Sequence, residues 1–445
     1  MCGIAGIIGK NIENNKKVIG DMVSAIIHRG PDDDGFFVDE NVGVGMRRLS
    51  IIDLARGKQP IWSADGKRVI FFNGEIYNYK ELKKDLVLKG YQFKTDSDTE
   101  VILVMYEAYG KEMLPRLRGM FTFCIYNTEA AEIFLARDFF GIKPLYYLRN
   151  GGNIIAFSSE IKSFLSIPGF KAEVNDNAVY NYLSFQYNPL DETFFKNVYK
   201  LPPAHYLKIN LKTRETEMKK YWSFEFNQQK NLDEKKTAEK IYDTMNNSVR
   251  HHMIADVPVG AFLSGGVDSS IITTLMQRVS GSKKIKTFTV GFDTLTEGVE
   301  SKQTSDYLQT DHTEIIIGPN EYFNALSDAV YHFDEPIADP SAIGLYFLAR
   351  EARKHVKVVL SGEGADELFG GYNIYLAPFA SQKLKWIHGR IYRSFLCIIC
   401  ILLKLSFEFF GKNFLRRVSM KLEDWYFGNA YLFKSDEIKK LCSNK

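Results

Sequence analysis

The apolar positions of this chain change their spacing several times, and each change marks an element. Apolar runs at 69–72, 121–126, 133–136, 145–147 and 154–158 are rich in β-branched and aromatic residues and read as strands. Between them, 80–89 and 99–109 repeat their apolar residues at helical spacing. Alternating strands with amphipathic helices suit two antiparallel sheets covered by helices. Further on, the run 257–263 reads as a buried strand, Ser264-Gly265-Gly266 as a tight turn, and Asp268 onward as a helix through Ile271, Ile272, Leu275 and Met276. Two more runs, 286–292 and 356–360, read as second and third strands of one parallel sheet.

Between the two patterns, Pro202-Pro203, the charged run 212–220 and the polar segment 227–236 interrupt the apolar periodicity. A boundary near 225–235 follows, dividing the chain into domains 2–225 and 235–445. The length of 445 residues and 45% hydrophobic content are ample for two or three cores. The 57 basic and 54 acidic residues leave a net charge of +3, which makes no electrostatic case for nucleic acid. Five cysteines, an odd number, suit a reducing compartment. The opening Met1-Cys2-Gly3-Ile4 has no basic-then-apolar leader, and the longest apolar run, 395–403, is half a membrane span. A cytoplasmic protein without a transmembrane segment is the expectation. The apolar, basic tail 386–410 reads as a core helix, and Cys397 with Cys400 lacks the second ligand pair of a zinc site.

Two stretches carry chemistry. Cys2 stands second, and its small size permits removal of Met1, which would leave thiol and α-amine on one residue. An α-amine titrates at about 7.7–8.0, so near neutrality it can take the thiol proton and return it to a leaving amine. In the second stretch, a helix opening after Ser264-Gly265-Gly266 presents free N–H groups to a phosphate, flanked by the hydroxyls of Ser264, Ser269 and Ser270. Asp268 beside them makes sense if a divalent cation lies between carboxylate and phosphate. No Gly-Lys-Ser/Thr follows, which excludes the common P-loop.

Ser264-Gly265-Gly266-Val267-Asp268-Ser269-Ser270 resembles the pyrophosphate loop of ATP pyrophosphatases. Met1-Cys2-Gly3-Ile4-Ala5-Gly6, His28-Arg29-Gly30-Pro31-Asp32, Arg48-Leu49-Ser50-Ile51-Ile52-Asp53, Phe72-Asn73-Gly74-Glu75-Ile76-Tyr77-Asn78 and Ser97-Asp98-Thr99-Glu100 occur in the order seen in class II glutamine amidotransferases. With 137–147, 158–163, 334–341 and Ser361-Gly362-Glu363-Gly364-Ala365-Asp366-Glu367, the chain resembles the glutamine-hydrolysing asparagine synthetase family from Cys2 to Tyr372. The resemblance implies an α+β four-layer (αββα) N-terminal-nucleophile glutaminase domain, followed by an α/β domain with a parallel sheet of ATP-pyrophosphatase type.

It also implies roles. Cys2 would be the nucleophile, and Asn73 with the Gly74 N–H the oxyanion hole. Arg48, Leu49, Ser50, Ile51, Ile52, Glu75 and Asp98 would complete the glutamine site, Arg48 holding the α-carboxylate and Asp98 the α-ammonium. Leu263, Ser264, Gly265, Gly266, Asp268, Ser269, Val290, Ser361 and Gly362 would bind ATP, Asp268 and Asp366 would share Mg2+, and Glu363 would be the base for attacking ammonia. The substrates would be L-glutamine, L-aspartate and ATP; a homodimer is one assembly the sequence allows.

Taken alone, Arg48 could be a surface charge, Asn73-Gly74 a type I′ turn and Asp98 a helix N-cap. Arg29 and Asp32 read as loop-fixing residues, and 334–341 as shaping the aspartate side of the pocket. Phe139 stands where the family carries arginine or proline, which reads as a surface or interdomain difference. The family's Arg-x-Pro-Phe-Leu-Asp motif does not occur before Lys445, so a C-terminally truncated synthetase is expected. Amidation of a sugar carboxylate, or a glutaminase-only or partner-binding protein, are the alternatives.

Overall fold

The structure is a computed structural model that describes residues 1–9, 12–229, 231–292, 297–376, 378, 432–433 and 435–442. The tail 386–410, with Cys397 and Cys400, lies outside the described residues. The chain divides into two compact units, Met1–Ala178 with Leu190–Ser361, and Val179–Pro189 with Gly362–Lys445.

The N-terminal half holds twelve strands: β1 (Gly3–Ile8), β2 (Asp33–Val38), β3 (Val42–Arg48), β4 (Ile61–Trp62), β5 (Arg68–Ile76), β6 (Gly119–Asn127), β7 (Glu132–Arg137), β8 (Tyr146–Asn150), β9 (Asn153–Ser158), β10 (Val198–Lys200), β11 (His205–Asn210) and β12 (Thr216–Lys220). They form two antiparallel six-stranded sheets, ordered β10-β8-β9-β1-β3-β2 and β12-β11-β7-β6-β5-β4.

Alternation along each strand explains the layering. Val69, Phe71, Cys124, Tyr126, Ile133 and Leu135 point inward, against Ile4, Val42, Val44 and Met46 of the facing sheet. Their neighbours Ile70, Phe72, Phe123, Ile125, Phe134 and Ala136 point outward, against Val101, Ile102 and Met105 of the helix Asp98–Tyr109. On the far side, Val18, Ile19, Met22 and Val23 of the helix Ile12–Ser24 cover Ala5 and Ile7. Both faces of both sheets are thus buried, the four-layer αββα arrangement expected, and the reason these strands read as continuous apolar runs. Strand β1, flanked by β3 and β9, was not legible as a strand; it is the buried centre of its sheet and delivers Cys2 at its start.

The sequence pattern differs from the structure at three points. Asn73-Gly74 lies inside β5, paired to Thr122 and Phe121 of β6, so the type I′ turn reading is wrong. Gly74 is required by close approach, since a Cβ there would stand 2.1 Å from the Met120 carbonyl oxygen. Phe139 is no surface variation: it packs edge-on against Phe121, Tyr221 and Trp222 at 5.4–6.3 Å, closing the edge of the N-terminal core. The run 356–360 is the fourth strand of its sheet, because Asp311–Ile317, too acidic at its start to stand out, forms an additional edge strand.

After 221–229 and 231–233, which carry no regular element, the helix Glu234–His252 opens on an Asp233 cap that accepts from the Lys236 N–H at 3.1 Å. Four parallel strands follow, β13 (Val259–Phe262), β14 (Lys286–Phe292), β15 (Asp311–Ile317) and β16 (Val358–Leu360), in the order β15-β14-β13-β16. Val249, Leu275 and Met276 cover one face of this sheet, and Ile343, Phe347 and Leu348 the other. The strand order reverses at β13, with β14 on one side and β16 on the other. Ligands of open α/β sheets gather at the carboxyl end of such a switch point.

Candidate active site

Cys2 sits at the mouth of β1, clasped by one residue of the neighbouring loop. Its Sγ lies 3.4 Å from the Leu49 N–H and 3.6 Å from the Leu49 carbonyl oxygen. Burial pushes the thiol above its usual range, against the pull of nearby cations and the Leu49 N–H. A base is therefore needed to make it a nucleophile. The carbonyl of Cys2 accepts from Arg29 Nε at 2.9 Å, and Arg29 is held in turn by Glu160 at 2.9 Å.

A pocket opens beside the sulfur, lined by Cys2, Arg48, Leu49, Ile51, Ile52, Gly74, Glu75 and Asp98. Every residue expected at a glutamine site is in this lining except Ser50 and Asn73. Ser50 donates its N–H to Asp32 at 2.8 Å, which bears on the loop-fixing reading of Asp32. Asn73 is fully buried with neither Nδ2 nor Oδ1 hydrogen-bonded, as is Oε2 of Glu75. Buried amides are almost always paired, so an amide held open next to Gly74 of the pocket lining is poised for a ligand.

The two carboxyls of the pocket want a cation. Burial raises Asp98 to about 6 despite N–H bonds from the Ile76 and Thr99 backbone, and burial followed by the charge of Asp98 raises Glu75 well above its usual range. Across the pocket, Arg48 donates to the carbonyls of Ile52, Asp53 and Leu54 at 2.9–3.4 Å. It is 4% exposed, no surface charge, and two of its five N–H groups remain for an anion. A pocket lined by an arginine, two carboxyls and a thiol fits an α-amino acid. The N-cap reading of Asp98 does not hold: Ser97 caps this helix by accepting from the Thr99 N–H at 3.2 Å.

Gly57 and Gln59 also line the pocket and were not read from the sequence; Ser97 and Thr99, noted there only as part of a motif, line it too. Gln59 ties β5 to the helix start, accepting from the Phe72 N–H at 2.7 Å and lying 3.4 Å from Thr99 Oγ1. Nothing local in the sequence marks it. The loop carrying Ile51 to Asp53 is anchored from the second half of the chain: the Asp53 N–H donates to Asp256 at 2.8 Å and the Asp256 N–H to the Ile51 carbonyl at 3.0 Å.

A buried charge network runs from the cysteine toward the parallel sheet. Glu160 accepts from Arg29 and lies 3.0 Å from His28, and it pairs with Lys162, whose ammonium also lies 2.8 Å from Asp334. Asp334 takes the Ile161 N–H at 2.6 Å as well. Burial would raise Glu160, yet His28, Arg29 and Lys162 together hold it at about 2; Asp334, sharing only Lys162, is left raised by its burial. Glu335 accepts from the Phe194 N–H at 2.9 Å and lies 3.3 Å from Lys200. These two carboxylates, part of the stretch 334–341 expected to shape the aspartate side of the pocket, are engaged by residues of the N-terminal half.

At the carboxyl end of β13, the Ser264 and Ser269 hydroxyls meet at 3.0 Å, and the Ser264 N–H donates to Ser269 Oγ at 3.2 Å. Gly265 adopts φ +78°, and a Cβ there would stand 2.7 Å from the Ser301 backbone nitrogen. Gly266 precedes the helix Val267–Ser280, with Asp268 in its first turn, so free N–H groups and a carboxylate share one helix start. Leu263 is buried, and Val290 is packed between the strands and the helix Ser341–Ala352. Ser361 leaves β16, whose Leu360 pairs with Ala261, at the same sheet edge as Ser264. In the other unit, Gly362 and Glu363 precede the short helix Ala365–Phe369, which carries Asp366 between left-handed Gly364 and Gly370. Among the described residues no three His, Cys, Asp or Glu side chains cluster as a metal site. A magnesium ion at Asp268 would therefore take most of its oxygens from phosphate and water.

Comparison with known proteins matches residues 1–222 to a glutamine amidotransferase domain and 240–434 to an asparagine synthase domain. The glutamine-hydrolysing asparagine synthetase 1 of Bacillus subtilis is 42% identical over 450 residues, covering 100% of this chain and 70% of that protein. A putative asparagine synthetase of Mycobacterium tuberculosis is 38% identical over 465 residues, covering 99% and 70%. The amidase chry2 of Gibberella zeae is 32% identical over 415 residues, covering 86% and 61%.

Proposed function

The chain belongs to the glutamine-hydrolysing asparagine synthetase family of ATP-dependent carbon–nitrogen ligases, and from that premise we propose that its product is L-asparagine. The observation that carries the reading is the pocket at Cys2, whose lining brings together a thiol, two carboxyls raised by burial and an arginine.

With Met1 removed, the α-amine of Cys2 accepts the thiol proton and the sulfur attacks the γ-amide carbon of glutamine. The carbonyl electron pair moves onto oxygen, stabilised by Asn73 Nδ2 and the Gly74 N–H. Collapse of this intermediate expels ammonia, which takes its proton from the α-ammonium, and leaves a thioester that water hydrolyses to glutamate. Arg48 holds the substrate α-carboxylate, Asp98 and Glu75 its α-ammonium, and Leu49, Ser50, Ile51 and Ile52 the stem.

The second reaction joins the β-carboxylate of L-aspartate to AMP, releasing diphosphate, and ammonia then displaces AMP. Ser264, Gly265, Gly266 and Ser269 receive the phosphates, Leu263 and Val290 flank the base, and Ser361 and Gly362 add contacts to ATP. Asp268 and Asp366 would hold Mg2+, which would supply charge neutralisation at the phosphates, and Glu363 takes a proton from attacking ammonia. We place the glutaminase domain at 2–225 and the synthetase domain from 235 onward.

Purified protein given Mg-ATP and aspartate, with either glutamine or ammonia, should release diphosphate and asparagine in equal amounts. Cys2→Ala should lose only the glutamine route. Diphosphate release that ignores aspartate, or glutamate as the sole product, would refute asparagine as the product. The first result would favour another carboxylate, as the amidase relative suggests.

A further inference from the structure

Behind Cys2 lies a cation that the reaction above does not use. Lys143 is 3% exposed, and its Nζ lies 2.9 Å from the sulfur of Met1. A thioether does nothing to offset a buried ammonium, and removal of Met1 takes even that contact away. The side chain cannot swing out, because both ends of its backbone are pinned. Its N–H donates to the buried Asp138 carboxylate at 2.9 Å, and its carbonyl accepts from Arg137 Nε at 2.8 Å. Asp138 takes three further N–H groups, from Phe121, Phe140 and Ile142, at 2.8–3.2 Å. The turn is built so that Lys143 faces the start of β1.

Three other charged or titratable groups meet at that point: the Cys2 thiol, Arg29 on the neighbouring turn and Glu75 on β5, with Asp98 and Arg48 one step beyond. Arg29 reaches the Cys2 carbonyl, and one of its terminal nitrogens has no hydrogen-bond partner; Glu75 Oε2 has none either. The space vacated by Met1 is thus bordered by two cations and one carboxylate, around the atom that becomes a free amine.

We propose that Lys143 is a positioning residue of the glutaminase reaction, its ammonium keeping the freed α-amine of Cys2 unprotonated and aimed at its own thiol. Charge repulsion from Lys143 adds to that from Arg29, and Glu75 opposes both. The α-amine of Met1, one residue away, already shows the field: burial foremost, then Arg29 and Lys143 against Cys2 and Glu75, bring it to about 5. Burial lowers Lys143 itself to about 8, so it remains mostly charged over the pH range in which the base must act. An amine with the ordinary value of about 7.7–8.0 would be largely protonated at pH 7 and a poor base. The proposal rests on Cys2 being the glutaminase nucleophile.

The test is the pH profile of kcat/KM for glutamine hydrolysis by protein lacking Met1, for the wild type, Lys143→Met and Lys143→Arg. Removing the charge should move the acid limb up by about one pH unit, a loss that approaches tenfold at pH values below both limbs and stays under about twofold at pH 9. Lys143→Arg should restore the wild-type limb. A uniform loss at every pH, or an unmoved limb, overturns the proposal while leaving the glutaminase reading intact; wild-type protein that releases no glutamate overturns that reading as well. If Lys143→Met does not fold, Lys143→Gln takes its place in the same profile: a limb moved up supports the proposal, and an unmoved limb overturns it.

Discussion

Replacing Glu160 by glutamine tests the buried network that ties the cysteine strand to the rest of the chain. The side chains of Glu160, Arg29, Lys162 and Asp334 are only 5–8% exposed, so solvent does little to screen them. A carboxyl held at about 2 against an ordinary 4.5 corresponds to about 3 kcal/mol of stabilisation. Breaking a buried pair costs about 3–5 kcal/mol, because the abandoned cations stay desolvated. Glutamine keeps the shape and removes the charge, so Glu160→Gln should destabilise by about 3 kcal/mol, lowering the melting temperature of the N-terminal half by roughly 6–12 °C. The pH dependence has a definite sign. Because the folded value lies below the unfolded one, the stabilisation is fully present above about 4.5 and is lost as pH falls toward 2. Urea unfolding of both proteins between pH 8 and 3 should therefore show a constant gap down to about pH 5 that narrows below it. A gap under about 1 kcal/mol at pH 7, or one that widens on acidification, would refute this account.

Asn73→Ala removes the unpaired buried amide next to Gly74 and should lower kcat for glutamine hydrolysis by about 10²–10³ with little change in KM; an unchanged kcat would exclude it from the oxyanion hole. Asp98→Asn should raise KM for glutamine more than it lowers kcat, since the interaction with the α-ammonium is made in the ground state, and steady-state kinetics at pH 8 would show the split. Gly265→Ala forces a Cβ to 2.7 Å from the Ser301 nitrogen at φ +78°. Diphosphate release should fall at least tenfold while glutaminase activity stays within about twofold, and a comparable loss of both would mean that the loop is not confined to the nucleotide step.

The glutamine-side motifs, the nucleotide loop and the four-layer arrangement were legible before any contact was known, and the reasons are local. Continuous apolar runs covered on both faces leave a strong signal, and a strand–glycine–helix junction is written in a few consecutive residues. Even the odd placement of Cys2 needs no neighbour to be noticed.

What the sequence could not decide is whatever depends on residues far apart in the chain. Strand β1 is central only because β3 and β9 flank it, and Asn73-Gly74 is strand rather than turn only because β6 pairs with it. Gln59, Asp256 and Asp334 took their roles from partners 13 to 205 residues away, and Lys143 met Met1 across 142 positions. Local propensity fixes φ and ψ within a few residues. A hydrogen bond or a buried charge pair stabilises only when desolvated groups from separate segments arrive together, and that arrival is decided by the packing of the whole core.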